Sequence, residues 1–128
     1  MSDAIILLAH GARDPNWARP IEAIAARLRD LLPDTPVEPA FLELMPPDLE
    51  TAATTLVAEG ARSLRVVPVF LGQAGHVKRD LPAKIEDLRE KLDGLHAGIR
   101  IDLDTAIGEQ PEVIEAIAAC IGRSSSLR

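Results

Sequence analysis

The feature that most constrains the fold is a regular alternation between short apolar runs and longer segments with helical periodicity. Two runs are uninterrupted, Ala4–Ala9 and Val66–Leu71, as is typical of strands covered on both faces. Two weaker, partly alternating runs, Val37–Leu42 and Ile99–Leu103, predict edge strands. Pro39 supports an edge position for the second strand, because proline cannot donate a hydrogen bond to a neighbouring strand.

Four helices are predicted after these four strands. Each helical segment has apolar residues spaced three or four positions apart. Each also has a proline near its predicted first turn, where a missing N–H group costs little. These prolines are Pro20, Pro47, Pro82 and Pro111.

A strand followed by a helix, repeated four times, predicts an α/β fold with a parallel sheet and right-handed crossovers. Two inner and two outer strands indicate the order 2-1-3-4, with helices on both faces of the sheet. Pro68 conflicts with an interior third strand, since a central strand needs its backbone donors. We keep the interior position as the expectation.

The length of 128 residues indicates a single domain over residues 1–123, with residues 124–128 as a frayed tail. No apolar run approaches the ~20 residues that a membrane-spanning helix needs, and no secretory signal pattern opens the chain. A single cysteine, Cys120, excludes an internal disulfide framework. We therefore expect a cytoplasmic protein.

The charge balance argues against nucleic acid as a partner. Fourteen basic and twenty acidic residues give a net charge of −6, and the aromatic residues are Trp17, Phe41 and Phe70 alone. Nucleic-acid binders usually have a basic face and aromatic side chains that stack on bases. An anionic ligand would require a local group of positive charges in this chain.

Two histidines and a glutamate follow three of the predicted strands. His10 comes directly after the first strand, His76 lies in the loop after the third, and Glu43 ends the second. In an open parallel sheet, ligands bind beyond the carboxyl ends of the strands where the strand order reverses. With the order 2-1-3-4, that crevice lies between the first and third strands. We therefore expect these three side chains to converge at one edge of the sheet.

Imidazole nitrogen and carboxylate oxygen form a ligand set that suits Co²⁺, Ni²⁺, Fe²⁺ or Zn²⁺. Two histidines would hold such an ion loosely and leave coordination positions open. A structural zinc site would instead close with four protein ligands. The residues therefore predict a transient or catalytic metal rather than a structural one.

The same region contains candidates for binding an anionic substrate. Gly72 and Gly75 bracket a short loop that could lie close to a ligand or move as a lid. Arg13, Lys78 and Arg79 form a local positive group near two predicted helix N-termini, which would attract carboxylates or phosphates. None of the glycines belongs to a dinucleotide-binding or P-loop pattern, so no nucleotide cofactor is expected.

Simpler interpretations of these residues remain open. His10 alone could be a hydrogen-bonded turn residue, and Glu43 a solvated carboxylate. Asp80 could be a helix start signal or a catalytic acid. His96 lies between the third helix and the fourth strand, at the opposite end of the sheet, and is expected to be a surface residue.

Three segments resemble a known family. They are LLAHGARDP at 7–15, AFLEL at 40–44 and VVPVFLGQAGHVKRDLP at 66–82. Together they are similar to the short form of the sirohydrochlorin cobaltochelatases, the CbiX type of class II tetrapyrrole chelatase. Ala12 stands where the family usually has the serine of an HGSR pattern, which puts a hydroxyl contact at that position in doubt.

The resemblance implies a flavodoxin-like half of a class II chelatase, with His10, Glu43 and His76 as catalytic residues. His10 and His76 would bind the metal and Glu43 would be an acidic helper. Short members look like half of the longer two-domain chelatases. The resemblance therefore also implies a homodimer with the tetrapyrrole cleft where two copies meet.

The implied activity is that of a lyase that inserts a divalent metal, Co²⁺ first and Ni²⁺ or Fe²⁺ next, into sirohydrochlorin or a related tetrapyrrole without ATP. The reaction would belong to cobalamin or tetrapyrrole biosynthesis. Either an imidazole or the carboxylate can accept the protons that the pyrrole nitrogens lose. Arg13, Lys78 and Arg79 would make binding of the carboxylate-rich ring tolerable.

Two other functions remain as alternatives. A histidine phosphatase also uses two histidines at strand ends, but it needs an arginine where this chain has Ala9. A metal- or tetrapyrrole-carrier module could keep the fold without turnover. Acceleration of metal insertion distinguishes the chelatase from the carrier.

Overall fold

The structure is a computed structural model that describes residues 3–72 and 75–124, apart from the side chains of His76 and Ser124. Its centre is a four-stranded parallel sheet in the order β2-β1-β3-β4. The strands are β1 Asp3–Ala9, β2 Val37–Phe41, β3 Ser63–Pro68 and β4 Arg100–Leu103. The predicted architecture and strand order are confirmed.

Four helices alternate with the strands: α1 Arg19–Leu31, α2 Leu49–Ala58, α3 Gly75–Leu95 and α4 Pro111–Ser124. Short 3₁₀ helices at Pro15–Ala18 and Ile107–Glu109 precede α1 and α4. Helix α4 includes Ser124, the first residue of the predicted tail, and residues 125–128 lie outside the described residues. Within the described part of the chain, no helix is long and apolar enough to cross a membrane.

The side chains of the inner strands form two apolar cores, one on each face of the sheet. Ile6 and Leu8 of β1 pack with α2 and α3, whereas Ile5 and Leu7 pack with α1. All four are buried, and burial of each such side chain contributes about 1.5–3 kcal/mol. The uninterrupted apolar run in β1 is therefore explained by helices on both faces, as predicted.

Pro68 is compatible with an interior strand because its missing N–H group faces β4, the short strand beside β3. Val69 N–H donates to the Leu8 carbonyl of β1 at 2.8 Å, and the Val66 carbonyl accepts from Asp104 N–H on the β4 side at 2.9 Å. Since backbone groups alternate in direction along a strand, position 68 also faces the β4 side. The pairing of β3 with β4 ends at Val66, so no acceptor of β4 is left unpaired by the proline.

The third strand lies earlier in the chain than the predicted span Val66–Leu71. β3 begins at Ser63, and Arg65 pairs with both neighbouring strands. The Arg65 guanidinium is exposed and lies 2.6 Å from the Asp104 carboxylate. A polar residue fits there because its side chain reaches solvent and an ion pair with Asp104, a condition that an apolar run cannot reveal.

Helix α3 begins at Gly75, seven residues before Pro82. The prediction that Pro82 marks the first turn is therefore wrong, as is the prediction that His76 lies in a loop, because His76 is in the first turn of α3. A proline inside a helix removes one backbone hydrogen bond. Burial of Leu81 and Ile85 in the core compensates for that loss.

Asp48 caps the N-terminus of α2, where its carboxylate accepts a hydrogen bond from Thr51 N–H at 2.8 Å. The hydrogen bonds from Thr51 lower the pKa of Asp48, and the nearby ammonium of Lys84 adds to the effect. A carboxyl group with a lowered pKa in the folded state stabilises the fold above its unfolded pKa, and this contribution is lost as the pH falls.

We expect Asp48→Ala to lower the free energy of unfolding by about 1 kcal/mol near neutral pH, because the helix loses its cap. The difference should shrink below about pH 4, where the parent carboxyl also becomes protonated. Urea denaturation across pH measures both effects. Asp48→Asn is the control, since it keeps a capping oxygen and should lose little; an equal loss in both variants would contradict the capping role.

Candidate functional site

A cavity of about 190 Å³ opens at the carboxyl edge of the sheet. Its walls come from the loops after β1 and β2 and from the first turns of α3. The lining residues are His10, Leu42, Glu43, Val77, Asp80, Leu81 and Lys84. We call this the site cavity. It lies at the edge where parallel sheets bind their ligands.

His10 follows β1 directly and is exposed. Its ring stacks on Phe70, with ring centroids 4.2 Å apart and an interplanar angle of 24°. Phe70 is buried and follows β3, so the stack joins the carboxyl ends of the two inner strands. Among the described residues, none has a hydrogen bond to the His10 ring nitrogens, which leaves both nitrogens available to a ligand.

Gly11 allows the chain after β1 to touch the chain after β2. Its φ angle is +92°, and a Cβ at this position would lie only 1.9 Å from the Glu43 carbonyl oxygen. The Glu43 N–H group donates to the His10 carbonyl at 3.1 Å. A residue with a side chain cannot occupy this crossing without moving the backbone, so Gly11 is what brings Glu43 beside His10.

A tight turn follows Glu43. Leu44 has a φ angle of +67°, and Met45 N–H donates to the Glu43 carbonyl at 2.8 Å. This three-residue hydrogen bond with positive φ describes a γ-turn of the strained kind. Strain of this kind costs about 1–3 kcal/mol and persists where the surrounding structure holds it, commonly at functional sites.

His76 is the predicted second imidazole. Its backbone lies in the first turn of α3, and the next residue, Val77, lines the site cavity. The side chain of His76 lies outside the described residues. Among the side chains that are described, no three histidine, cysteine or carboxylate groups form a metal-binding cluster. The two-histidine metal site therefore stays a prediction, whereas His10 and Glu43 do line one cavity.

The predicted substrate-binding residues are not part of the cavity wall. Arg13, Lys78 and Arg79 are exposed and do not line the site cavity. Gly75 is the first residue of α3, with the Arg79 guanidinium 3.6 Å from the place of its absent Cβ. Gly72 is exposed with open space around it, and residues 73–74 lie outside the described residues. The lid therefore stays a prediction.

Asp80 and Lys84 also line the site cavity, although neither is among the residues predicted for the site. With α3 predicted to start near Pro82, Asp80 could be either a helix start signal or a catalytic acid. Lys84 had no predicted role. With the helix beginning at Gly75, residues 77, 80, 81 and 84 share one face at helical spacing. A helical wheel drawn from Val77 would have found both.

A second cavity, of about 270 Å³, adjoins the first. Leu42 and Lys84 line both cavities. The remaining lining residues of the second cavity are Phe41, Asp48, Leu49, Glu50, Asp87, Leu88 and Lys91. The two cavities together form a trough between α3 and the chain that runs from β2 into α2.

Gly108 holds the loop after β3 in place on the other side of His10. Its N–H group donates to the Phe70 carbonyl at 2.9 Å, and a Cβ here would lie 2.3 Å from the Leu71 carbonyl oxygen. This close approach fixes Phe70, on which His10 stacks. Nothing in the local sequence around Gly108 indicates the contact, because its partner is almost forty residues away.

Comparison with known proteins assigns the chain to a family. The model of the CbiX family matches residues 4–124. The chain belongs to the CbiX family. The fold of this CbiX chain is similar to that of a CbiX protein from Marinobacter aquaeolei VT8, with a TM-score of 0.81 and 31% identity over 94% of this chain and 95% of that one.

Longer relatives match this CbiX chain as well. It is 35% identical to a sirohydrochlorin cobaltochelatase from Priestia megaterium over 90% of its own length, and it spans 40% of that protein. It is 28% identical to SirB from Bacillus subtilis, solved with Fe³⁺, with a TM-score of 0.77 over 99% of this chain and 49% of SirB. The chain thus spans about half the length of these relatives, or less.

We expect Gly11→Ala to destabilise this CbiX chain more than Gly98→Ala. Both glycines have positive φ angles, +92° and +84°, but only Gly11 meets a backbone atom. Each alanine carries the ~1–2 kcal/mol cost of left-handed backbone, and Gly11→Ala adds about 2 kcal/mol for the clash. Free energies of unfolding from urea denaturation measure the difference. Equal losses would show that the crossing at Glu43 relaxes without cost.

Proposed function

We propose that this CbiX chain inserts a divalent metal ion into sirohydrochlorin. The observation that carries the proposal is that His10 and Glu43, which follow different strands, line one open cavity. Its relatives include a cobaltochelatase and a SirB protein solved with iron, which supports a metal ion and a tetrapyrrole as the two substrates.

Insertion requires the ion to lose water and two pyrrole nitrogens to lose protons. We assign His10 and His76 to the ion, because two imidazoles bind such a metal weakly and leave positions open for the ring nitrogens. A histidine whose lone pair holds a metal cannot accept a proton at the same nitrogen. Glu43 is therefore the proposed proton acceptor: it takes one pyrrole proton, releases it to solvent through the open cavity, and then takes the second. The freed nitrogen lone pairs displace the imidazoles from the ion.

The charges of the site cavity favour the approach of a cation. Glu43 and Asp80 contribute two carboxylates to its wall, and the chain as a whole has a net charge of −6. Lys84 adds one ammonium group to the wall, and the excess of carboxylates over that single cation raises the local concentration of metal cations. We propose Co²⁺ as the first metal, with Fe²⁺ and Ni²⁺ as competitors, since imidazole and carboxylate suit all three.

We also propose that two copies of the chain form the working unit, as helix α4 indicates. No described side chain of α4 is buried, and Ile114 and Ile117 are 52% and 40% exposed. These residues form an apolar stripe with Val113, while Glu115 lies on the other side of the helix. An apolar stripe of this kind marks an interaction surface. Because the chain matches about half of SirB, a second copy is the proposed partner.

The 3₁₀ helix Ile107–Glu109 links this surface to the site. It directly precedes α4, and its Gly108 N–H group bonds to the Phe70 carbonyl, next to the ring on which His10 stacks. A partner bound to α4 would therefore be connected to His10 through one short 3₁₀ helix and the Phe70 ring. This arrangement supports a tetrapyrrole cleft formed between two copies.

We expect His10→Ala and His76→Ala each to slow insertion by at least about 100-fold, a typical loss for a positioned acid–base or ligand group. Their thermal stability should change little, since His10 is exposed and residues of a cleft contribute little to the core. The measurement follows the visible spectrum of sirohydrochlorin with Co²⁺, relative to a protein-free blank.

His96→Ala is the matched control, because His96 is exposed and precedes β4 at the opposite edge of the sheet. It should insert metal at the parent rate. Binding of sirohydrochlorin without acceleration over the blank would point to a carrier instead of a chelatase. A fully active His10 or His76 variant would remove that residue from the proposed mechanism.

We expect Ile117→Asp to convert the dimer to a monomer, since a carboxylate in the apolar stripe of α4 would be buried without a partner charge. Light scattering after gel filtration gives the mass in solution. Glu115→Ala, on the polar side of the same helix, should leave the dimer intact. A parent protein that is monomeric at all concentrations would overturn the two-copy proposal.

A further inference from the structure

We propose that Lys84 binds a carboxylate of the tetrapyrrole substrate and so positions the ring over the site cavity. This inference rests on the proposed function and assigns to it a residue outside the set of catalytic and substrate-binding residues identified from the sequence. It follows from three properties of Lys84: its location, its charge environment and its free ammonium group.

Lys84 stands at the junction of the two cavities. It lines the site cavity with His10 and Glu43, and it lines the second cavity with Leu42. A tetrapyrrole is too wide for the site cavity alone, and the adjoining second cavity offers room for a ring centred near His10 to extend over this junction. The Lys84 ammonium is then within reach of the acidic substituents at the edge of the ring.

The position of Lys84 is fixed by the helix that carries it. Leu81, Ile85 and Leu88 of α3 are buried in the core with β1 and β3. These residues lie three before, one after and four after Lys84, so they set the rotation of the helix. Lys84 projects from the flank that borders the trough, and its long flexible stem can follow a substituent that moves.

The Lys84 ammonium offsets the repulsion that the carboxylates of the trough would exert on an anionic ligand. Of the described residues that line the site cavity, Glu43 and Asp80 are acidic and Lys84 alone is basic. The second cavity adds three carboxylates, from Asp48, Glu50 and Asp87. A polycarboxylate ring would be repelled by these groups unless at least one of its own carboxylates met a positive charge.

The other lysine of the trough is already engaged. The Lys91 ammonium lies 2.6 Å from the Glu50 carboxylate, and this contact raises the pKa of Lys91. Lys84, by contrast, forms no ion pair within 4.0 Å among the described residues. Its attraction to Asp48 acts without a direct ion pair, so Lys84 breaks no hydrogen bond when it binds a substrate carboxylate.

The charges of the trough therefore divide between the two substrates. Glu43 and Asp80 beside His10 attract the metal cation, and Lys84 at the junction attracts the ring. Arg13, Lys78 and Arg79, which the sequence suggested for the ring, do not line either cavity. Because the chain has a net charge of −6, binding of an anionic ring requires a local positive charge. We assign that charge to Lys84.

The test measures binding of metal-free sirohydrochlorin by absorbance titration, together with insertion kinetics. Lys84→Gln should raise the dissociation constant and KM about tenfold, as expected for loss of one charge-assisted contact. Its kcat should stay within about twofold, since Lys84 does not touch the metal or the pyrrole protons. Binding to the variant should also depend less on salt concentration than binding to the parent.

Arg27→Gln is the matched control, because it makes the same change in net charge at an exposed residue of α1; it should bind as the parent does. Lys84→Arg should restore most of the affinity. Unchanged binding and salt dependence in Lys84→Gln would overturn the role of Lys84 while the chelatase proposal stands. A parent that binds no sirohydrochlorin would overturn both, and a parent that binds without insertion would overturn the chelatase alone.

Discussion

The candidate site depends on one backbone contact, the crossing of the chain after β1 with the chain after β2. At Gly11 the two backbones approach so closely that a methyl group would overlap the Glu43 carbonyl. The hydrogen bond from Glu43 N–H to the His10 carbonyl extends the pairing of the two strands past their ends. Because this contact is made by backbone, the main-chain positions that carry the imidazole and the carboxylate stay side by side whatever binds between them.

The proposed activity requires two substrates of opposite charge in one cleft, and this trough offers a counter-charge to each of them. Carboxylates lie beside His10, where a metal ion would be held, and Lys84 lies at the junction with the second cavity. Separation by a few side chains lets each substrate meet its own counter-charge. A uniformly acidic or uniformly basic wall would favour one substrate and repel the other.

The exposed apolar stripe of α4 and the length of the chain both support the proposed dimer. Single side chains such as Ile117 are common on surfaces, but a contiguous apolar stripe costs free energy in water. Two of the relatives match this chain over less than half of their own length, so a second copy of the chain would make an assembly of similar size. The proposed dimer thus follows from a surface and a length that are independent of each other.

The sequence by itself determined the four strands, the 2-1-3-4 order and the positions of His10 and Glu43 after strands. These follow from the hydrophobic periodicity and from the glycines and prolines, which are patterns of residues close together in the chain. The tertiary structure alone decided where α3 begins, and with it that Asp80 and Lys84 face the cavity. It also decided that Phe70 supports His10 and that Gly108 supports Phe70. These depend on contacts between residues far apart in the chain, whose free energy no local pattern contains.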